Sequence, residues 1–197
     1  MNSSLDGTPT TLRRSLRQQL LEQRERFVSG PQGAEAGVAL ARHLAEVLRE
    51  LEPELLGVYW PYRCEFNAAN AIDDDSTLAP LLKKLPRALP FAQRAPVQMH
   101  YRRWDGRAPT AVDDCGIPSS TGEVVVPDVV LVPCVGFTPD GFRLGYGGGY
   151  FDRWLAQHPA VTAVGVAYAV AEVDPAVFAA QAHDLPLGLV VTERGVV

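Results

Sequence analysis

The chain has 197 residues, of which 47% are hydrophobic and 21% are charged, the balance of an ordinary globular domain. Its formal net charge of −5 argues against a protein that coats nucleic acid through a basic surface. Only two of its 18 basic residues are lysines. A phosphate site in this chain would therefore depend on arginine side chains, backbone N–H groups or a metal ion.

The cysteines and the apolar segments indicate the cellular compartment. Cys64, Cys115 and Cys134 are widely spaced and form no C-x-x-C pair, which favours a reduced cytoplasm over a disulfide scaffold or a zinc site. The first residues contain no apolar segment typical of a secretory signal. The richest apolar stretch, 124–137, is interrupted by proline and aspartate and is too short for a membrane span. We therefore expect a soluble cytoplasmic protein.

A first helix is predicted to begin near Thr10. Leu12, Leu16 and Leu20 recur at every fourth residue, which places them on one helical face. The other faces carry a local excess of basic residues: Arg13, Arg14, Arg17, Arg24 and Arg26. A solvated polar face is one interpretation of these arginines, and contact with a bound anion or with nucleic acid is another.

The rest of the chain alternates between predicted strands and predicted helices. Strands are predicted at 55–60, 88–91, 97–104, 129–133, 161–168 and 189–192. Further helices are predicted at 38–51, 78–85, 150–157 and 175–180, with a loop at 105–124. This alternation predicts an α/β fold, a single three-layer α/β/α domain with a mostly parallel sheet. The domain is expected to span 10–197, after a disordered tail at 1–9.

A glycine-rich segment after the predicted strand 129–133 carries the strongest chemical signal. It has the sequence RLGYGGGYFD over 143–152 and leads into a predicted helix. Glycines allow backbone N–H groups to surround an anion, and the N-terminus of a helix adds positive partial charge. A tight structural turn is the alternative, because the glycines match neither a P-loop nor a clean G-x-G-x-x-G pattern.

The whole segment is more specific than its glycines alone. Residues 143–152 resemble the R-L-G-x-G-x-G-[YF]-[YF]-D signature of the 5-formyltetrahydrofolate cyclo-ligase family. Residues 13–17 resemble the K-x-x-L-R helix of that family, with Arg13 in place of lysine. Residues 58–60 followed by Glu65 resemble its strand-then-Glu element, and 183–187 resemble its C-terminal segment that contributes an aspartate. The order and rough spacing of the four segments agree with the family.

The resemblance implies a reaction and a set of site residues. ATP would drive cyclisation of 5-formyltetrahydrofolate to 5,10-methenyltetrahydrofolate through an iminium phosphate, releasing ADP and phosphate. The implied ATP-binding residues are Arg13, Arg17, Arg143, Leu144, Gly145, Tyr146, Gly147, Gly148, Gly149, Tyr150 and Phe151. The implied substrate-binding residues are Tyr59, Trp60, Glu65 and Tyr150. The implied Mg²⁺ ligands are Asp152 and Asp184. A monomer without nucleic-acid or membrane partners is expected.

Alternatives remain open for individual residues and for the whole chain. Glu65 is also compatible with a solvated loop position, Tyr59 and Trp60 with core aromatics, and Asp152 with a carboxylate that favours the helix dipole. Cys134 lies beside the glycine loop, but the reaction does not require a thiol nucleophile. The chain as a whole is also compatible with a ligand-binding regulator that lacks turnover, or with a nucleic-acid-binding protein that uses the first helix.

Overall fold

The computed structural model describes residues 9–68, 78–178, 180 and 185–197. The helices in these ranges are α1 (Pro9–Val28), α2 (Gly33–Leu51), α3 (Ala79–Lys84) and α4 (Tyr150–Gln157), with a 3-10 turn at Ala169–Ala171. The tail predicted at 1–9 lies outside the described residues except for Pro9, which opens α1. None of the helices in the described ranges is both long and apolar enough to cross a bilayer.

The strands are short except for one hairpin. They are β1 (Leu56–Gly57), β2 (Arg87–Arg94), β3 (Val97–Trp104), β4 (Ala111–Val112), β5 (Pro118–Ser119), β6 (Val124–Val125), β7 (Val129–Pro133), β8 (Gly136–Phe137), β9 (Arg143–Leu144), β10 (Thr162–Val166), β11 (Leu189–Thr192) and β12 (Gly195–Val196). The strand predicted at 55–60 is therefore shorter than expected, and β12 was not predicted.

One sheet organises the domain. Among the described residues, eight strands join it in the order β12-β11-β10-β7-β1-β2-β3-β6. The strands from β11 to β2 run parallel, while β12, β3 and β6 pair antiparallel toward the edges. Every residue of β7 is buried, as expected for a central parallel strand covered on both faces. The predicted mostly parallel sheet is confirmed.

Helices cover both faces of this sheet. Leu44 and Leu48 of α2 are fully buried and pack in one cluster with Leu131 of β7. Val130, the preceding residue of β7, points to the other face and packs in a second cluster with Trp154 of α4. Full burial of such a side chain contributes about 1.5–3 kcal/mol relative to leaving it exposed. The alternation along β7 thus divides the core in two and confirms the three-layer architecture.

Helix α1 packs on the β8–β9 hairpin through a third, smaller cluster. Leu20 and Leu21 are buried there with Leu144 and Phe178. Leu12, the first of the three leucines at fourfold spacing, is 49% exposed, whereas Leu16 packs partly buried against this cluster. Because β8 and β9 lead directly into the glycine-rich segment, this packing places α1 beside it.

Two irregular regions differ from prediction. The loop predicted at 105–124 contains the β4–β5 pair, and the buried Asp113 closes its turn by accepting hydrogen bonds from backbone N–H groups. In the helix predicted at 175–180, the described residues form only a turn, in which the carboxylate of Asp174 accepts from the N–H of Ala176 at 2.8 Å. This local hydrogen bond offers the backbone an alternative to helix.

Candidate active site at the glycine-rich loop

The glycine-rich loop (145–149) connects β9 to α4 at the carboxyl side of the central sheet. Gly147 has φ 97° and Gly149 has φ 62°, conformations that residues with a Cβ rarely adopt. Gly149 is also the N-cap of α4, and no side chain caps this helix. The first N–H groups of α4 therefore face the loop without a side-chain acceptor, an arrangement that suits an anion.

Arg17 of α1 reaches this loop from the other end of the chain. Its Nε donates to the carbonyl oxygen of Gly145 at 2.7 Å. A Cβ at Gly147 would lie 3.4 Å from the same guanidinium. Burial, and then the charge of Arg13, lower the pKa of Arg17 from its usual value, although an arginine remains charged at neutral pH. The guanidinium of Arg13 lies 4.7 Å above the ring of Phe178. The first turns of α1 thus bring the charge of Arg17 to the loop, and the charge of Arg13 acts on Arg17.

A buried ion pair lies at the base of the loop. Nη2 of Arg143 donates to Oδ1 of Asp152 at 2.9 Å, and the side chains are 4% and 22% exposed. The guanidinium of Arg143 also lies 5.5 Å from the ring centroid of Phe151. The prediction that Arg143 contacts a phosphate stays a prediction, and Nη1 of Arg143 lies 2.7 Å from the position of a Cβ at Gly145 of the loop. The side chain of Arg143 is buried and joins β9 to the first turn of α4.

The predicted metal ligands are only partly described. Asp152 has one oxygen engaged by Arg143 and remains 22% exposed. Asp184 lies outside the described residues. Further along the same segment, the N–H of Leu187 donates to the carbonyl of Gly141 at 2.9 Å. In the described ranges, no three His, Cys, Asp or Glu side chains form a group that could hold a metal ion. Mg²⁺ needs only one or two carboxylates beside substrate oxygens, so a partly exposed aspartate at the loop suits it.

Glu65 contacts the loop through Tyr146. Its Oε2 accepts from the N–H of Tyr62 at 2.8 Å, and its Oε1 accepts from the hydroxyl of Tyr146 at 2.8 Å. Nη1 of Arg24 lies 3.9 Å from the same Oε1. Burial raises the pKa of Glu65, and the charge of Arg24 opposes this shift. The segment that follows β1 is therefore hydrogen-bonded to the glycine-rich loop.

Arg24 is a buried residue whose role the sequence did not reveal. It is 2% exposed and donates to the hydroxyl of Tyr146 at 2.6 Å and to the carbonyl of Cys134 at 3.3 Å. The spacing of residues along α1 gave one indication of the direction of this side chain. Arg13, Arg17, Leu20 and Arg24 are spaced by four, three and four residues, which places them on one helical face. The arginines at these positions thus point inward with the apolar residues.

Comparison with known proteins identifies the family. The model of the 5-formyltetrahydrofolate cyclo-ligase family matches residues 9–193, which include every element of the loop described above. The chain belongs to this family. A 5-formyltetrahydrofolate cyclo-ligase from Mycoplasma pneumoniae (strain ATCC 29342 / M129 / Subtype 1) is 39% identical over 68 residues. That alignment covers 34% of this chain and 40% of the relative.

Two solved structures of cyclo-ligase relatives have a similar fold. One is a 5,10-methenyltetrahydrofolate synthetase from Mycoplasma pneumoniae, with a TM-score of 0.72, 21% identity, and coverage of 92% of this chain and 98% of the relative. The other is a 5,10-methenyltetrahydrofolate synthetase from Aquifex aeolicus, with a TM-score of 0.71, 27% identity, and coverage of 94% and 91%. The family predicted from the sequence motifs is confirmed.

Two residues assigned from the cyclo-ligase pattern lie in the core. Tyr59 is 2% exposed and its hydroxyl donates to the carbonyl of Phe66 at 2.8 Å. Leu144 is 2% exposed within the cluster beneath α1. Both side chains are covered by protein, and the expected ligand contacts of Tyr59 and Leu144 stay predictions.

Other aromatic residues of the cyclo-ligase pattern remain partly open. Trp60 is half-buried and packs edge-to-face on Trp104, with ring centroids 6.2 Å apart. Tyr150, at the start of α4, is also half-buried, and a hydrogen bond with Cys115 raises its pKa. Cys134 is different: burial raises the pKa of its thiol to about 11. A thiol at that pKa stays protonated at neutral pH and is a poor nucleophile.

Proposed function

We propose that this chain catalyses ATP-dependent cyclisation of 5-formyltetrahydrofolate to 5,10-methenyltetrahydrofolate, with release of ADP and phosphate. The observation that carries the proposal is the position of Arg17 on a glycine-rich loop at an uncapped helix N-terminus. Arg17 donates to Gly145 at 2.7 Å, and α4 begins at Gly149 without a side-chain cap. This combination of a cation and free N–H groups suits a polyphosphate.

The chemistry explains why the reaction needs ATP. A formamide oxygen is a poor leaving group, so it must be converted into phosphate before it can depart. In the proposed sequence the formyl oxygen attacks the γ-phosphorus, the bond to the ADP oxygen breaks, and an iminium phosphate forms. N10 then attacks the formyl carbon, the C–O bond breaks, and the N10 proton is lost as phosphate leaves. No protein nucleophile takes part.

The protein's share of this reaction is positioning and neutralisation of charge. Arg13, Arg17, Arg143 and the N–H groups of 145–151 would bind the triphosphate. Asp152 and Asp184 would hold Mg²⁺, which neutralises phosphate charge when bound. Tyr59, Trp60, Glu65 and Tyr150 would contact the folate, since flat apolar walls suit a pterin ring.

The surface chemistry supports a small-molecule enzyme over a nucleic-acid-binding protein. Arg17 and Arg24 direct their side chains toward the loop and the core, so α1 presents less positive charge to solvent than its sequence suggests. Cys64, Cys115 and Cys134 are free thiols, which suits a reducing compartment. We include in the proposal that the enzyme works in the cytoplasm as a monomer.

Absorbance of the methenyl product tests the proposal directly. Purified protein with 5-formyltetrahydrofolate, ATP and Mg²⁺ should generate the methenyl chromophore, with one ADP formed per product. The absorbance should stay flat when ATP is omitted or replaced by a non-hydrolysable analogue. If the protein bound both ligands but formed no chromophore, a regulator without turnover would be the better assignment.

A further inference from the structure

The side chain of Tyr146 extends from the glycine-rich loop to the carboxylate of Glu65. Its hydroxyl lies 2.8 Å from Oε1 of Glu65 and 3.3 Å from the carbonyl oxygen of Tyr62. A hydroxyl has one proton to donate, and the carboxylate is both the nearer and the charged acceptor. Tyr146 occupies a position that varies in the loop motif, so its motif assignment alone gives no reason for this contact.

The guanidinium of Arg24 is hydrogen-bonded to the hydroxyl of Tyr146. Nη2 of Arg24 donates to that oxygen at 2.6 Å, which leaves the hydroxyl proton directed toward Glu65. Nε of Arg24 donates to the carbonyl of Arg63 at 3.1 Å, and its guanidinium is 5.9 Å from the ring centroid of Tyr146. The donors therefore run in one direction, from the helix through the loop to the carboxylate.

Both oxygens of Glu65 are fixed by this arrangement. Oε2 accepts from the N–H of Tyr62, and Oε1 accepts from Tyr146. The side chain of Glu65 is 5% exposed, so water cannot easily replace a lost partner, and hydrogen bonds to a buried carboxylate are strong. The orientation of Glu65 consequently depends on where the loop places Tyr146.

We propose that Tyr146, held by Arg24, is a positioning residue that couples the nucleotide loop to Glu65. A nucleotide that orders the loop would fix Tyr146, and Tyr146 would in turn orient Glu65 toward the folate. The proposal rests on the proposed function, because it takes the loop as the ATP site and Glu65 as a folate contact. It adds that the two substrates bind cooperatively through one hydroxyl group.

Calorimetry on Tyr146→Phe tests the coupling. The affinity for 5-formyltetrahydrofolate is measured with and without a non-hydrolysable ATP analogue, and the ratio of the two affinities is compared between proteins. Typical couplings are about 5- to 150-fold, so the wild type should show a ratio of at least about fivefold. In Tyr146→Phe the ratio should fall by about threefold or more. Thermodynamic linkage requires the same change in the affinity for the analogue, measured with and without folate.

The matched control is Tyr62→Phe. Tyr62 contacts the ring of Tyr146 edge-on at 5.5 Å and is 48% exposed. This substitution keeps the backbone N–H that binds Glu65 and removes only a hydroxyl that forms no hydrogen bond with the described part of the chain. Its affinity ratio should equal that of the wild type. A purely structural role for Tyr146 would weaken both affinities and leave their ratio unchanged.

A double-mutant cycle with Glu65→Gln completes the test. If the hydroxyl acts through Glu65, Glu65→Gln should weaken folate binding less in the Tyr146→Phe background than in the wild type. A wild-type ratio in Tyr146→Phe, or additive losses in the cycle, would overturn the coupling. The coupling would also be overturned if the wild type turned over substrate but bound 5-formyltetrahydrofolate equally well with and without the ATP analogue. A wild type without turnover or folate binding would instead overturn the proposed function.

Discussion

The guanidinium of Arg17 and the carbonyl oxygen of Gly145 are joined by a 2.7 Å hydrogen bond across 128 residues of sequence. The bond connects the first helix of the domain to the loop that precedes α4. It also accounts for the position of α1, which packs on the hairpin before the loop. The N-terminal helix is therefore part of the candidate site.

Replacing Arg17 with alanine should weaken ATP binding. Hydrogen bonds to charged groups contribute about 1.5–3 kcal/mol each, so Arg17→Ala should raise the KM for ATP about tenfold or more. Arg14 is exposed on the same helix, and Arg14→Ala removes the same charge away from the loop. Steady-state kinetics on both variants compares them. Equal KM values would show that Arg17 is part of a solvated polar face.

A side chain at Gly149 should disrupt the loop itself. Its φ is 62° and a Cβ there would lie 3.0 Å from Nη1 of Arg153. A strained backbone of this kind costs about 1–3 kcal/mol, so Gly149→Val should lose ATP affinity by about tenfold or more. Gly195 also has a positive φ, 129°, but no atom within 4 Å of its Cβ position. Gly195→Val therefore controls for strain alone, and calorimetry should show that it keeps ATP affinity.

The glycine-rich loop and α4 were predictable because their signals are local. Positive φ favours glycine, and a helix after a glycine cluster follows from the sequence pattern alone. The inward side chain of Arg24 was not predictable, because its acceptors, such as the carbonyl of Cys134, come from distant segments. The pair between Arg143 and Asp152 spans only nine residues, but it depends on how the loop places β9 against α4. Motif matching identified Arg143 and Asp152 but not Arg24, and the direction of each side chain is decided by tertiary packing.

The carboxyl of Glu65 should make stability depend on pH. Burial raises its pKa above the usual value of 4.5. For an acid with a raised pKa in the folded state, the stabilising contribution is complete below the unfolded pKa. It is lost as the pH rises through the folded pKa. Relative to Glu65→Gln, the wild type should therefore lose free energy of unfolding as the pH rises above 4.5.

Urea unfolding of both proteins at several pH values measures this difference. Glu50→Gln, an exposed position on α2, corrects for the change in net charge. Among the described residues, the charged and titratable groups around Glu65 include Arg24, Tyr146, Tyr59 and Cys134. If the wild type instead gained stability relative to Glu65→Gln as the pH rose, attraction to Arg24 would outweigh burial.

Asp152 has two proposed partners, Arg143 and Mg²⁺, and its substitution should reveal both. Asp152→Asn removes the charge that pairs with Arg143 at 2.9 Å, so stability should fall by up to about 3 kcal/mol. Turnover should fall strongly at ordinary Mg²⁺ and recover in part at high Mg²⁺, because a weakened metal site fills at higher concentration.

Arg143→Gln separates these two effects. It breaks the same ion pair but removes no metal-binding oxygen, so its stability should fall while added Mg²⁺ leaves its turnover unchanged. Unfolding free energies and Mg²⁺ titrations of turnover on both variants make the comparison. If high Mg²⁺ rescued neither variant, Asp152 would act only through the ion pair that joins β9 to α4. A role for Asp184 as a Mg²⁺ ligand would then have to be tested as one that does not involve Asp152.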